Sequence, residues 1–228
     1  MRNTIRILWT GIAIAQLAAL GAQAATTYQL DNNPSSATAL NASDANEARD
    51  NWFANEFTAL ANGNRITQVS YGVLTTAANT VADVVIYQQG ALGFSRIYTQ
   101  AFTPLTGDGT SWSIQQISLT TPVTVKVGAN FLVAIFMQNV AGDKFPYVQD
   151  TSGVATGSFW DRSDANAFNL DNISGAVQVD QDLADSNWNP GPGHLIIRAV
   201  GTAVPEPSVC ALGGLAAFLA VMLRRRAK

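Results

Sequence analysis

The sequence predicts an all-β domain, a β-sandwich of jelly-roll type, set between two terminal targeting segments. Apolar residues between positions 51 and 200 recur mostly at every second position, the spacing of a strand with one face in a core. Turn-forming Gly, Asn and Asp interrupt these runs every 8–15 residues or so, too often for a helical protein. A basic, apolar start and an apolar, basic end flank the alternating region.

Residues 1–24 read as a secretory signal peptide. Arg2 and Arg6 give the positive start, Ile7 to Leu20 is mostly apolar, and Ala22-Gln23-Ala24 supplies small residues around a cleavage site before Ala25. The sandwich domain is expected over residues 25–203. Its first periodic stretch, Ala42 to Phe53, is spaced as a short helix, with Ser43 or Asp44 as its cap and Glu47 three residues after Asp44. Strands follow. Val69, Tyr71 and Val73 alternate with Gln68, Ser70 and Gly72, and Val81 to Tyr87 forms another run. Further strands are expected over Ile97–Thr103 and Trp112–Leu119, with Gly107-Asp108-Gly109 between them. Val123, Val125 and Val127 alternate, and Gly128-Ala129-Asn130 is placed to fold them against Phe131–Met137 as a tight hairpin. The unbroken apolar run Phe131–Met137 suits a central strand covered on both faces, and Leu195–Val200 closes the domain. Residues 151–193, rich in Gly, Asp, Asn and Ser, read as long loops with one strand near Ser158–Trp160. Long loops in a compact domain carry function or motion.

The last segment, residues 204–228, has three parts: Val204-Pro205-Glu206-Pro207, an uncharged apolar run from Val209 to Leu223, and the basic cluster Arg224-Arg225-Arg226-Ala227-Lys228. Fifteen residues in a helix span about 22 Å against roughly 30 Å of hydrocarbon, short for a permanent anchor. Arginines favour the cytoplasmic side, which places the domain outside and agrees with the signal peptide. Pro205 and Pro207 hold extended backbone, and Glu206 marks the outer limit of the apolar span.

This order resembles the PEP-CTERM sorting signal of Gram-negative bacteria. The matching residues are Pro205, Glu206 and Pro207, the span 209–223, and Arg224, Arg225 and Arg226. The resemblance implies an exosortase as partner and transient membrane anchoring during sorting. It also implies a cell-surface or extracellular destination, often beside exopolysaccharide and biofilm. The Leu-Pro-x-Thr-Gly signal of Gram-positive sortases is absent. The domain itself resembles secreted bacterial β-sandwich domains in its strand order. The residues concerned are Trp52–Phe57, Ile66–Val73, Val84–Tyr87, Val123–Ile135 and Leu195–Ala199. Such domains often occur on surface or carbohydrate-associated proteins.

Charge and chemistry narrow the role. The region 25–203 keeps seven basic and fifteen acidic residues, a net charge of −8 where the full chain carries −3. An acidic domain disfavours nucleic acid, whose binding needs a basic patch. The one cysteine, Cys210, lies in the apolar tail, so no disulfide supports the domain. No Gly-x-Ser-x-Gly elbow occurs, and the one histidine, His194, reads as a strand-edge residue. Clustered His or Cys, as zinc needs, is lacking. Glu47, Glu56 and scattered Asp residues leave a carboxylate-based carbohydrate-active enzyme open. Asp161, Asp164 and Asn166 are candidate calcium ligands, though the spacing is not that of an EF-hand. The competing reading is an acidic, solvated loop. Trp52 and Trp112 read as core, while Trp160 and Trp188, beside the polar loops, are candidates to stack on sugar rings. The expected role is a non-enzymatic surface or matrix protein; the alternatives are a lectin-like module and a carbohydrate-active enzyme.

Overall fold

The computed structural model describes residues 24–32, 37–40, 48–74, 81–105, 111–140, 147–152, 156–181 and 193–204. These are all-β. A four-stranded antiparallel sheet runs β1 (Thr26–Tyr28), β13 (Ile197–Thr202), β4 (Arg65–Val73), β7 (Ser113–Thr124). A six-stranded antiparallel sheet runs β11 (Val177–Gln178), β10 (Ser158–Asp164), β3 (Arg49–Thr58), β8 (Asn130–Val140), β5 (Val81–Gly90), β6 (Gly93–Phe102). A three-stranded sheet, β12 (His194–Leu195), β9 (Tyr147–Asp150), β2 (Ala37–Leu40), continues beyond the first. Gly72 N donates to Ile196 O at 2.8 Å, and Ile196 N donates to Val148 O at 2.9 Å, which joins those two sheets.

The two large sheets close over one core, an arrangement consistent with a β-sandwich. Val69, Tyr71 and Ile197 come from one side, and Phe53, Ile135 and Trp160 from the other. Strand periodicity explains most of this burial. Ile66 is buried out of phase with Val69, Tyr71 and Val73 because the register slips between Ile66 and Gln68. A slip of this kind resets which face the following residues occupy.

Two expectations are corrected. Residues 49–53 belong to strand β3 and not to a helix; residues 42–47 lie outside the described set. Trp52 and Phe53 are adjacent apolar residues that each fill a different face of a doubly covered strand, a pairing that mimics helical spacing. The turn at 128–130 makes no hairpin either. β7 pairs with β4, whereas β8 pairs with β3 and β5, so residues 125–129 carry the chain from one sheet to the other. Gly128 adopts φ +78°, a conformation that favours glycine. The hairpin in this part of the chain is β5–β6, closed by Ala91-Leu92 between Gly90 and Gly93.

Residues 165–176 are not a detached loop. Phe168, Leu170, Ile173 and Ala176 pack on Trp52, Tyr87 and Phe136, on the outer face of the six-stranded sheet, and make a second apolar cluster. This cover is why β8 reads as an unbroken apolar run from Phe131 to Met137.

Candidate functional site

The cover segment leaves a cleft of about 410 Å³ between itself and the β5–β6 turn. Trp52, Leu132 and Phe159 contribute its apolar lining from three neighbouring strands, joined by Phe94. Asp171, Asn172 and Ser174 supply polar groups, and Leu92, on the turn, is fully exposed beside them. Cross-strand alternation explains the lining, since Trp52, Leu132 and Phe159 all point away from the central core.

Specific polar contacts hold the cover in place. Asp50, buried on β3, accepts from Phe168 N at 3.2 Å and from Asn139 N at 3.0 Å. The Tyr87 hydroxyl donates to Leu170 O at 2.9 Å, and Arg96 pairs with Asp171 at 2.8 Å. Burial raises the Tyr87 phenol above its usual range, while Trp52, Arg96 and Asp171 act more weakly. Trp52 Nε1 approaches the Tyr87 hydroxyl enough to favour its ionised form, yet not at hydrogen-bonding geometry. The buried indole N–H therefore has no acceptor at hydrogen-bonding geometry among the described residues. Burial also raises the Asp83 carboxyl, and Arg96 partly opposes it. An apolar lining with a few polar groups suits a small ligand that has both surfaces.

A second polar cluster lies at the start of β12. Arg198 grips the buried Asp31 carboxylate through Nε, at 3.1 Å from each oxygen, and through Nη2. That hydrogen bond raises the Arg198 guanidinium further. Asp150, also buried, accepts from Asn32 N at 3.0 Å, Ser152 N at 2.9 Å and Ser152 Oγ at 2.6 Å. His194 pairs in register with Asp150, as expected of a strand-edge residue. Burial lowers the imidazole pKa, while Asp150 and Asp31 pull it upward. Its Nδ1 is buried without a partner among the described residues. Ser152 bonds Asp150 and Asn32, so the described contacts build no serine–histidine relay here.

The residues expected from sequence fall apart in space. Trp160 is 0 % exposed, stacks at 26° on Phe53 and donates Nε1 to Gln181 O at 3.0 Å. A ring so enclosed has no face for a sugar, which corrects the expectation for Trp160; its place on the inner face of β10 is the reason. Trp188 lies outside the described residues. Trp52 is core as expected, and Trp112 is partly exposed. Asp161 and Asp164 are three residues apart on β10, so strand alternation sends them to opposite faces. Asp164 pairs with Arg49, and Asn166, at φ 62°, accepts from Gln138 and Asn139 at 2.9 Å each. Among the described residues no three His, Cys, Asp or Glu side chains gather as a metal site. Ala24 and Ala25 are exposed just before β1. Ala22, Pro205, Glu206, Pro207 and Arg224 to Arg226 lie outside the described residues.

Sequence reasoning missed the cleft, because its lining combines four strands and a covering segment that no local pattern relates. The signal available was the apolar set Phe168, Leu170 and Ile173 inside an otherwise polar stretch. The described residues thus form an all-β arrangement with two packed antiparallel sheets, a covered outer face and a cleft beside the cover. No protein-family model matches the chain, and no curated protein matches it.

Proposed function

We propose that the chain is an exported cell-surface or extracellular-matrix protein, non-enzymatic and associated with exopolysaccharide or biofilm, that an exosortase processes at its C-terminal signal. The observation that carries this reading is the order Pro205-Glu206-Pro207, apolar 209–223, Arg224–Arg226 in one chain with a secretory start. A jelly-roll sandwich is the scaffold that goes with it. The extensive apolar core, with no cysteine before Cys210, suits a domain that lasts outside the cell without a disulfide. Intact-mass measurement of the exported protein tests the reading. In exosortase-positive cells the mature chain should begin at Ala25 and lack Arg224–Lys228. A full C-terminus retained in such cells rules it out.

A second reading, a lectin-like module, is favoured by the cleft, where the partly exposed Phe94 and Phe159 stand with Asp171, Asn172 and Ser174 over the buried Trp52. Aromatic and aliphatic groups would face a sugar ring, and the polar groups its hydroxyls. Glycan-array binding lost in Phe94→Ala but kept in the distant Val81→Ser would support it. No glycan bound by the intact domain would remove it.

A further inference from the structure

One end of the sandwich differs from the rest of the surface. β1 pairs with β13 through Thr26↔Gly201, so the start of the mature domain and its exit at Val204 lie together. The β3–β4 turn joins them there: Thr26 Oγ1 donates to Asn62 O at 3.3 Å, and Val204 N donates to Asn64 Oδ1 at 3.2 Å. The β7–β8 connection meets the same turn, since Ala59 N donates to Ala129 O at 3.0 Å and Val125 N donates to Asn64 O at 2.8 Å. Lys126 N reaches Gln88 Oε1 at 2.8 Å, which brings in the end of β5 and the β5–β6 turn.

Seven large apolar side chains are exposed among the described residues, and four crown this end: Leu60 at 49 %, Leu92 at 105 %, Val127 at 50 % and Val204 at 38 %. Single exposed apolar residues are ordinary, whereas several gathered at one end mark an interaction surface. The charge is as uneven. Within residues 58–65, 88–94, 124–130 and 200–204 the charged side chains are Arg65 and Lys126, both basic, on a domain of net −8. Of the bordering acids, Glu56 accepts from Asn130 and Asp171 pairs with Arg96, while Asp180 lies exposed beyond β11, at the other edge of the six-stranded sheet from Leu92. From Val204 to Val209, where the apolar run begins, five residues reach at most about 18 Å.

We infer that this end of the domain docks on an anionic lipid surface: Leu60, Leu92, Val127 and Val204 enter the headgroup boundary while Lys126 and Arg65 meet lipid phosphates. The inference rests on the sorting reading, which puts the apolar run in the bilayer. It adds that the domain sits end-on against the membrane and does not swing free on its tail. Apolar contact together with basic charge is the combination that holds proteins at anionic interfaces, each basic residue contributing about fivefold in partitioning.

The test uses the full chain, purified from an exporting host without exosortase so that the tail is kept. It is reconstituted into phosphatidylcholine vesicles with and without phosphatidylglycerol. In a Cys210→Ser background one environment-sensitive fluorophore is placed at Leu92→Cys, at Val127→Cys or, at the opposite end of β5, at Val81→Cys. Brominated lipid should quench the Leu92 and Val127 probes several-fold more than the Val81 probe. The difference should grow with phosphatidylglycerol, shrink with salt and fall in Lys126→Glu. Equal quenching at both ends, or none in chains that float with the vesicles, overturns docking and leaves the sorting reading standing. Quenching that needs exosortase-bearing membranes assigns the surface to the enzyme and overturns the lipid assignment. A chain that does not float with any vesicle overturns the sorting reading, and docking with it.

Discussion

Asn55 shows how much one side chain decides. It is buried at the centre of β3, and its amide donates to Leu195 O at 2.8 Å and Ile197 O at 2.9 Å. It accepts from Ser158 Oγ at 2.6 Å, which in turn accepts from Leu195 N at 3.2 Å. One amide thereby ties β3 and β10 to the chain entering β13, across the core. Asn55→Leu would leave two buried carbonyls unpaired, and each costs about 1–3 kcal/mol. The expected loss is about 2–6 kcal/mol in denaturant unfolding; an unchanged midpoint would show that the amide ties nothing.

Arg198 and His194 give two further expectations. Arg198→Met strips the buried Asp31 of its partner, a change that costs about 3–5 kcal/mol for a buried pair. The low end applies, because Arg198 is partly in solvent. For His194 the folded pKa lies below the unfolded value. The unfolded state therefore binds the extra proton first as pH falls, and stability present above about pH 6.5 is lost below it. Asp83 runs the other way and lower, since its raised folded pKa adds stability below the unfolded value near 3.8 that is lost as pH rises through the folded value. The melting temperature should thus drop from about pH 7.5 to about pH 5, and less so in His194→Asn. Parallel curves for the two proteins would remove His194 as the cause.

Among the elements, the last strand is held by close backbone approach. A Cβ on Gly201 would lie 1.9 Å from Gly63 O and 2.8 Å from Gly63 C, so backbone and not a flexible side chain stands in the way. Gly201 also follows the irregularity between Val200 and Gly201. Gly201→Ala should cost about 1–3 kcal/mol or more and loosen β1, which pairs on the far side of β13. Hydrogen exchange across 24–32 and 197–204 reads this directly; protection equal to wild type would refute it. The free edges of the two sheets face each other where β6 meets β7, and glutamines stitch them. Gln100 Oε1 accepts from Thr120 N at 2.7 Å, and Gln115 bonds both Leu105 N and Thr103 O at 2.8 Å. Such stitching protects edge strands from pairing with other chains.

As a unit, the domain depends on packing and polar ties and on no covalent cross-link. With Cys210 the one cysteine of the chain, reducing agent should leave the melting temperature of the protein unchanged. A shift would show that Cys210 pairs between chains. Strand periodicity announced the all-β class, and Val69-Ser70-Tyr71, Val84–Tyr87 and Phe131–Met137 all lie in the strands expected of them. Local alternation is enough for that, because it reports which faces are buried. It misjudged residues 49–53, where both faces of β3 are covered and the period-two signal vanishes.

Local pattern cannot say which strand pairs with which. Gly128-Ala129-Asn130 has the composition of a hairpin turn, yet Val125 N bonds Asn64 O and the chain crosses between sheets. Trp160 and Trp52 are both wholly buried, but Trp160 belongs to the central core and Trp52 to the cluster under the cover, a distinction set by the face of the sheet. The cleft, the Asn55 tie and the apolar, basic end at Leu60, Leu92, Val127 and Val204 join residues dozens of positions apart. The proposed address rests on short contiguous stretches of sequence, which are read without any fold. The cleft and the apolar, basic end come from long-range strand pairing, and only the closed sheets bring those residues together.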